Sequence, residues 1–235
     1  MANKNRYLLR GIRASPTSRL VTMVDSTYSR SHTVIHRRRR DNHMPKTNSP
    51  EEEEIYYVIT LQTDTVHHQA MCALRERYYP PLLLRVGAHI SLFRALPGFT
   101  LPSLRADIMS AVARISPFEI RAVGPPIRMG RGGVAVPVSG LEPVESLVKE
   151  LQEKWHDVLS RQDLGAFRGH YTLMNKVDDP EAVTRCLGDL HREFEPQGCP
   201  GRALGLSLWR YDHGWWRHQM NFPFLCNGAV TSKGA

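Results

Sequence analysis

One order of predicted elements occurs twice in this chain: strand, helix, strand, helix, strand. The second copy follows the first at an offset of about 80 residues, and each copy carries a histidine in its middle strand, His89 and His170. The two copies share few identical residues, so the repeat is one of pattern. A chain of this kind is expected to fold as two similar halves.

The elements of the first half are predicted from apolar runs and apolar stripes. Strands are expected at residues 55–61, around His89 and at 118–123. The helix predicted at 63–77 should bury one stripe, formed by Val66, Ala70, Leu74 and Arg77. The next helix is marked by Leu104, Ile108, Ala111, Val112 and Ile115.

The second half repeats this order with clearer signals. A strand at 133–138 leads into a helix whose stripe is Val144, Leu147, Val148, Leu151, Trp155, Val158 and Leu159. After the strand around His170, Asp179 and Pro180 are typical of a helix start, and the inner face of that helix is Val183, Leu187, Leu190 and Phe194. Residues 203–211 and 215–224 predict a hairpin.

Two short motifs occupy equivalent places in the two halves. His89 and Ser91 stand in H-I-S-L, His170 and Thr172 stand in H-Y-T-L, and no other of the 11 histidines has Ser or Thr two positions later. Side chains two apart on a strand point the same way, so each imidazole should share a face with its hydroxyl. One such motif alone is most often structural, but two in equivalent contexts favour a functional site.

The pair of motifs resembles the tandem His-x-Ser/Thr-hydrophobic signature of the 2H phosphoesterase superfamily, which includes 2′-5′ RNA ligase-like proteins and cyclic phosphodiesterases. The resemblance covers about residues 53–225. It implies an α+β fold of two pseudo-twofold-related lobes, each with a mostly antiparallel sheet lining a central groove and helices outside. The domain is expected at residues 51–228, with lobes at about 51–125 and 126–228 that can exchange strands, followed by a flexible tail at 229–235.

The resemblance also implies metal-independent chemistry, without a cofactor, on a 2′,3′-cyclic phosphate or a 2′,5′-linked nucleotide or RNA end. By position, His89 and His170 are the implied acid and base, and Ser91 and Thr172 the phosphate-binding hydroxyls. These residue types suit the task, since an imidazole with a pKa of about 6.5 can give or take a proton near neutrality. Which histidine is the base depends on how the substrate lies, and ligation would exchange the two roles.

Four further residues are candidates for substrate contact, each with an alternative structural interpretation. Arg168 precedes His170 by two positions and should share its strand face, where it can reach a phosphate or simply be solvated. Phe93 shares the predicted face of Ser91 and can stack on a base, although a core position is the stronger expectation. Tyr211 and Trp215, together with the adjacent Trp216, offer stacking surface near the final hairpin, with core packing as the default.

The basic charge of the chain belongs to its first 50 residues. They hold 11 Lys/Arg and two Asp, a net charge of +9, whereas the rest holds 20 basic and 21 acidic residues. This segment is predicted to be disordered. It is interpreted as a nuclear localisation patch around Arg37–Arg40, as a mitochondrial presequence, or as a dispensable extension with Met44 near the start of the fold. A weak contact with RNA through this segment is a further hypothesis.

Composition and residue spacing indicate the cellular compartment and the kinds of partner to expect. The cysteines, Cys72, Cys186, Cys199 and Cys226, form no C-x-x-C pair, which favours reduced thiols in a protein of the cytoplasm or nucleus. No apolar run approaches the roughly 18 to 20 residues of a membrane span, so no membrane partner is expected. The other histidines lack the spacing of metal ligands, so no metal site is expected. The sequence of residues 130–134 predicts a turn rather than a phosphate-binding loop. A monomer is expected.

Two function classes therefore stay open. The first is a 2H-type phosphodiesterase, with 2′-5′ RNA ligation as the reverse reaction. The second is a nucleotide- or RNA-binding module that keeps the site but turns over no substrate. The intact motifs favour the first class.

Overall fold

The computed structural model describes residues 54–195 and 197–225, so the expectations for residues 1–50, for 229–235 and for Cys226 lie outside the described part. Eight strands belong to one connected sheet: β1 (Tyr56–Thr63), β2 (Ser91–Pro97), β3 (Phe118–Ala122), β4 (Ile127–Met129), β5 (Gly133–Ser139), β6 (His170–Met174), β7 (Cys199–Asp212) and β8 (Trp215–Pro223). Four α-helices lie between them in the described residues: α1 (Thr65–Tyr78), α2 (Leu101–Val112), α3 (Glu142–Lys154) and α4 (Pro180–Phe194).

The repeated order of elements predicted from the sequence is confirmed, and the differences are local. β4 was not predicted, and it pairs with β5 across a turn in which Arg131 and Gly132 have positive φ. α3 ends at Lys154 and is followed by a short 3-10 turn, His156–Val158, so its predicted length was too great. The hairpin of β7 and β8 turns through His213 and Gly214, both with positive φ, as its sequence predicts.

The fold is α+β, and every strand pairing in the sheet is antiparallel. The strand order is β2-β1-β7-β3-β5-β4, with β6 paired to β5 and β8 paired to β7. β7, from the second half of the chain, thus lies between two strands of the first half. The division into two pseudo-twofold-related lobes at residues 125 and 126 stays a prediction.

α1 buries a different stripe from the one predicted. Its buried residues are His67, Met71, Leu74 and Arg75, whereas Val66 is 79% exposed and Arg77 is exposed. The face of α1 against the sheet therefore carries two polar side chains, which donate to or contact backbone carbonyls: His67 Nδ1 lies 3.0 Å from the carbonyl of Pro200. A rule that places only apolar residues inside cannot detect such a face.

The predicted inner faces of α2, α3 and α4 are largely confirmed. Leu104, Ile108, Ala111 and Val112 of α2 are all buried, and so is the stripe of α3 from Val144 to Trp155. On α4 the buried set is Val183, Cys186, Leu190 and Phe194. The Asp179 carboxylate accepts from the backbone N–H of Glu181 at 2.9 Å, so the predicted cap is confirmed.

Within residues 54–195 and 197–225, none of the helices combines the length and the apolar composition that crossing a bilayer requires.

Candidate active site

Each motif presents its histidine and its hydroxyl on one face. Around the first motif Ala88, Ile90 and Leu92 are buried, while His89 and Ser91 between them are half-buried. Around the second, Tyr171 and Leu173 are buried, while His170 and Thr172 are half-buried. The buried partners anchor each segment in the core, and the alternation leaves the polar pairs facing outward together.

The two histidines are held in the same way by the backbone. His89 Nδ1 lies 2.8 Å from the carbonyl oxygen of Gly87, and His170 Nδ1 lies 2.7 Å from the carbonyl oxygen of Arg168. Because a carbonyl only accepts, each Nδ1 must carry the proton and donate it. This places a proton on Nδ1 of both rings, so Nε2 is in each ring the nitrogen that can gain or lose a proton.

His89 precedes β2 and Arg168 precedes β6, so neither lies within the strand that was predicted to contain it. Arg168 therefore lies outside the strand of His170, although both residues line the same pocket, and its contact with a substrate stays a prediction. Before each strand, a carbonyl two residues back accepts from the imidazole. The alternation of apolar and polar residues predicts which face a side chain occupies, but it does not show at which residue the strand starts.

His89 is half-buried and lies near positively charged side chains. Burial lowers the pKa of His89 to about 4, and the nearby positive charges of Arg75, Arg94 and His170 lower it further, against the opposing hydrogen bond to Gly87. The indole of Trp216 covers the imidazole, with ring centroids 4.4 Å apart. At neutral pH the His89 imidazole is therefore uncharged.

A pocket of about 120 Å³ is lined by one residue of each motif, Ser91 of the first and His170 of the second. Ser91 and Arg94 of β2 line one side, and Arg168 and His170 line the other. The loop before His170 completes the wall with Gln162, Gly165, Ala166 and Phe167. The structure thus brings one hydroxyl, one imidazole and two arginines to a common space.

Asp163 fastens that loop to the first motif's strand. Its carboxylate accepts from the backbone N–H groups of Arg94 at 3.0 Å and Ala95 at 3.1 Å, and from the Ser160 hydroxyl at 3.1 Å. The residue is 5% exposed. A buried carboxylate with three donors is well satisfied, and it ties the segment leading to His170 to the strand that begins at Ser91.

The other three candidates have different positions. Phe93 is fully buried and packs edge-on against Trp155, which agrees with the core position that was the stronger expectation. Tyr211 is exposed and is paired with Trp216 across the hairpin, so it shares a sheet face with the indole that covers His89. Trp215 is exposed but belongs to the other face of β8.

Sequence reasoning missed two residues at the site, Asp163 and Arg75, and it did not distinguish Trp216 from Trp215. Trp216 adjoins Trp215, and only the register of β7 and β8 decides which of the two indoles faces His89. Asp163 lies in a loop without periodicity. Arg75 was passed over because it did not fit the apolar stripe assigned to α1.

The chain matches the family model described as the 2'-5' RNA ligase superfamily over residues 63–215, which include both motifs, Arg75, Asp163 and Arg168. No curated protein matches it significantly.

Several solved structures are similar to this chain at low identity. TT0787 of Thermus thermophilus is 16% identical, with 71% of this chain and 97% of that one covered and a TM-score of 0.45. E. coli LigT complexed with 3'-AMP is 12% identical, with coverage of 73% and 99% and a TM-score of 0.44. Kluyveromyces marxianus Usb1 with uridine monophosphate is 13% identical, with coverage of 72% and 98% and a TM-score of 0.41. The family-model match, rather than these distant structural similarities, identifies the family of the chain.

Proposed function

Because the chain belongs to the 2′-5′ RNA ligase superfamily, we propose that it is a metal-independent phosphodiesterase acting on a 2′,3′-cyclic phosphate or a 2′,5′-linked nucleotide or RNA end. The observation that carries this proposal is the matched pair of imidazoles, each held at Nδ1 by a carbonyl two residues back. Two histidines with free Nε2 atoms supply an acid and a base on one substrate. A cyclic phosphate needs both, since water must lose a proton and the ribose oxygen must gain one.

The environment of the two rings favours one assignment of roles. His89 is uncharged at neutral pH, because burial and neighbouring positive charges lower its pKa to about 4. In the proposed hydrolysis, His89 Nε2 takes the proton of the attacking water as the new P–O bond forms. In this step His170 starts with a proton on both ring nitrogens and gives the Nε2 proton to the ribose oxygen as the old P–O bond breaks. Proton exchange with solvent then restores both histidines.

Ser91 and Thr172 are proposed to donate to the non-bridging phosphate oxygens, whose charge must be held in the transition state. Arg94 and Arg168 line the same pocket as Ser91 and His170, so their positive charge lies beside the expected phosphate. Tyr211 and Trp216 are proposed to provide apolar contact for the nucleoside, in place of Phe93 and Trp215.

Thr172→Val should lower kcat/KM by about 10²-fold, because the isosteric side chain keeps the strand but removes one donor to the developing phosphate charge. Ser91→Ala should have a similar effect. Steady-state kinetics on a 2′,3′-cyclic nucleotide measure both losses. Thr184→Val on α4 is the matched control, since that hydroxyl donates to the Pro180 carbonyl and belongs to neither motif. Equal kinetics for Thr172→Val and wild type would contradict the phosphate-binding role.

The acid limb of kcat/KM should lie near pH 4 rather than near 6.5. As the pH falls through the lowered pKa of His89, the imidazole takes up a proton and can no longer accept one from water, so the rate falls about tenfold per pH unit. A rate profile from pH 3.5 to 9 at constant ionic strength measures this limb. An acid limb near 6.5 would contradict the base role of His89.

Product analysis decides the reaction. The purified protein is incubated, with chelator present, against a panel of 2′,3′-cyclic nucleotides and 2′,5′-linked oligonucleotides, and the products are identified by their phosphate position. Chelator-resistant ring opening or 2′,5′ cleavage is the expected result. Joining of ends in place of cleavage would assign ligation, and tight binding without any product after long incubation would assign a binding module.

A further inference from the structure

Arg75 of α1 contacts both motif segments from inside the protein. It is 4% exposed, and its Nε donates to the carbonyl of Val86 at 3.2 Å, three residues before His89. Its Nη1 donates to the carbonyl of Thr172, in the strand of the second motif. One guanidinium therefore joins two backbone segments that are otherwise far apart in sequence.

The charge of this guanidinium is not neutralised by an acidic partner. Among the described residues no carboxylate forms an ion pair with Arg75; its plane instead lies over the Tyr79 ring, 3.9 Å from the centroid. A buried, unpaired positive charge is costly, so a purely structural role would be served better by an apolar side chain. An arginine at this position is explained if the protein uses both the planar, forked guanidinium, which can donate to two carbonyls, and its positive charge.

The segment that Arg75 holds has no regular secondary structure of its own. Residues 84–90 form neither helix nor strand, and their anchors come from neighbouring elements. Cys72, one helical turn before Arg75, accepts from the backbone N–H of Ala88 at 3.3 Å, and the carbonyl of Ile90 accepts from the N–H of Leu61 at 3.0 Å. Arg75 is the one anchor among these that also reaches the second motif.

We propose that Arg75 is a positioning residue that locks the loop before His89 to the strand of Thr172 and so fixes the spacing between the two motifs. This inference rests on the proposed function, because it concerns the geometry of the proposed acid–base pair. Arg75 acts through the backbone, so it touches no reacting atom. Its planar fork serves two carbonyls at once, which a lysine ammonium on a flexible stem does not reproduce.

The charge of Arg75 has a second consequence at His89. The charged groups that act on this imidazole are Arg75 from α1, Arg94 from β2 and His170 from β6, while β8 contributes the uncharged indole of Trp216. The titratable pair Cys72 and His68 of α1 lies beside Gly87, whose carbonyl holds the ring. Removing Arg75 should raise the pKa of His89 toward its ordinary value, because one positive charge that opposes protonation is lost.

Two variants separate the fork from the charge. Arg75→Gln removes both, so kcat/KM should fall by about 10²-fold and the acid limb of the rate profile should move to higher pH. Arg75→Lys keeps the charge alone, so kcat should fall by about 10-fold while the acid limb stays in place. Arg77→Gln is the matched control, because it removes the same charge from an exposed position of the same helix and should change neither quantity.

An NMR titration follows the imidazole C2–H signal of His89, which is assigned by comparison with His89→Ala. It measures the expected rise in the pKa of His89 in Arg75→Gln without any turnover. Wild-type kinetics and an unmoved His89 titration in a folded Arg75→Gln protein would overturn the inference. If Arg75→Gln does not fold, Arg75→Lys decides, since wild-type kcat in that variant overturns the role of the fork. Absence of activity in the wild-type protein would instead count against the proposed function and leave the NMR result to judge Arg75.

Discussion

Alanine at His89 or at His170 should lower kcat/KM on a 2′,3′-cyclic nucleotide by about 10²- to 10⁴-fold. Each substitution removes one proton-transfer group from a pair that works together, so the two single losses should be similar. The double variant should lose less than the product of the two, because residues that act as a unit are not additive. Steady-state or single-turnover kinetics with chelator present measure all three.

His191→Ala is the control for this pair. His191 is an exposed residue of α4 that pairs with Glu195, so its loss should leave kinetics unchanged. Circular dichroism of each variant establishes that the fold persists. Activity that survives both the His89 and the His170 substitution would remove the basis of the proposed function.

Removal of the Asp163 carboxylate should have the second largest effect. Asp163→Ala leaves the backbone N–H groups of Arg94 and Ala95 and the Ser160 hydroxyl without their acceptor, so the free energy of unfolding should fall by about 3 kcal/mol. Activity should fall by about 10-fold or more even where the protein stays folded. The loop released by this change ends at Arg168, whose carbonyl holds His170.

Denaturant unfolding and kinetics on the same preparations measure the two losses. Asp163→Asn keeps one acceptor oxygen and should lie between wild type and Asp163→Ala. Asp157→Ala is the matched control, since that carboxylate is fully exposed in the preceding turn and its removal should change nothing measurable. Wild-type unfolding together with wild-type kinetics in Asp163→Ala would contradict the anchoring role.

The sequence was sufficient to predict the repeated elements, apart from β4, and the faces of the two motifs. Both results depend on local pattern: alternation placed His170 and Thr172 on one face, and apolar stripes located α2, α3 and α4. These signals repeat within a few residues, so they can be read without knowing what lies across the sheet.

The supporting residues could not be predicted, for a physical reason that they share. Trp216 faces His89 because of the register between β7 and β8, and Arg75 is buried where it donates to the carbonyls of Val86 and Thr172. Asp163 is defined by the N–H groups of a strand nearly 70 residues away in sequence, at Arg94 and Ala95. Each depends on partners that the fold brings together, which single-sequence patterns do not encode.

The place of β7 in the sheet has a consequence for how the protein reaches its native state. β7 pairs with both β1 and β3, so Tyr56, near the start of the described chain, pairs with Tyr211, near its end. During synthesis the free edges of β1 and β3 stay unpaired until β7 has emerged, and unpaired edges favour association with other chains. Pairings of such long sequence separation also slow folding. We therefore expect the pocket lined by Ser91 and His170 to be among the last parts of the molecule to form, and the proposed activity to report completion of the whole sheet.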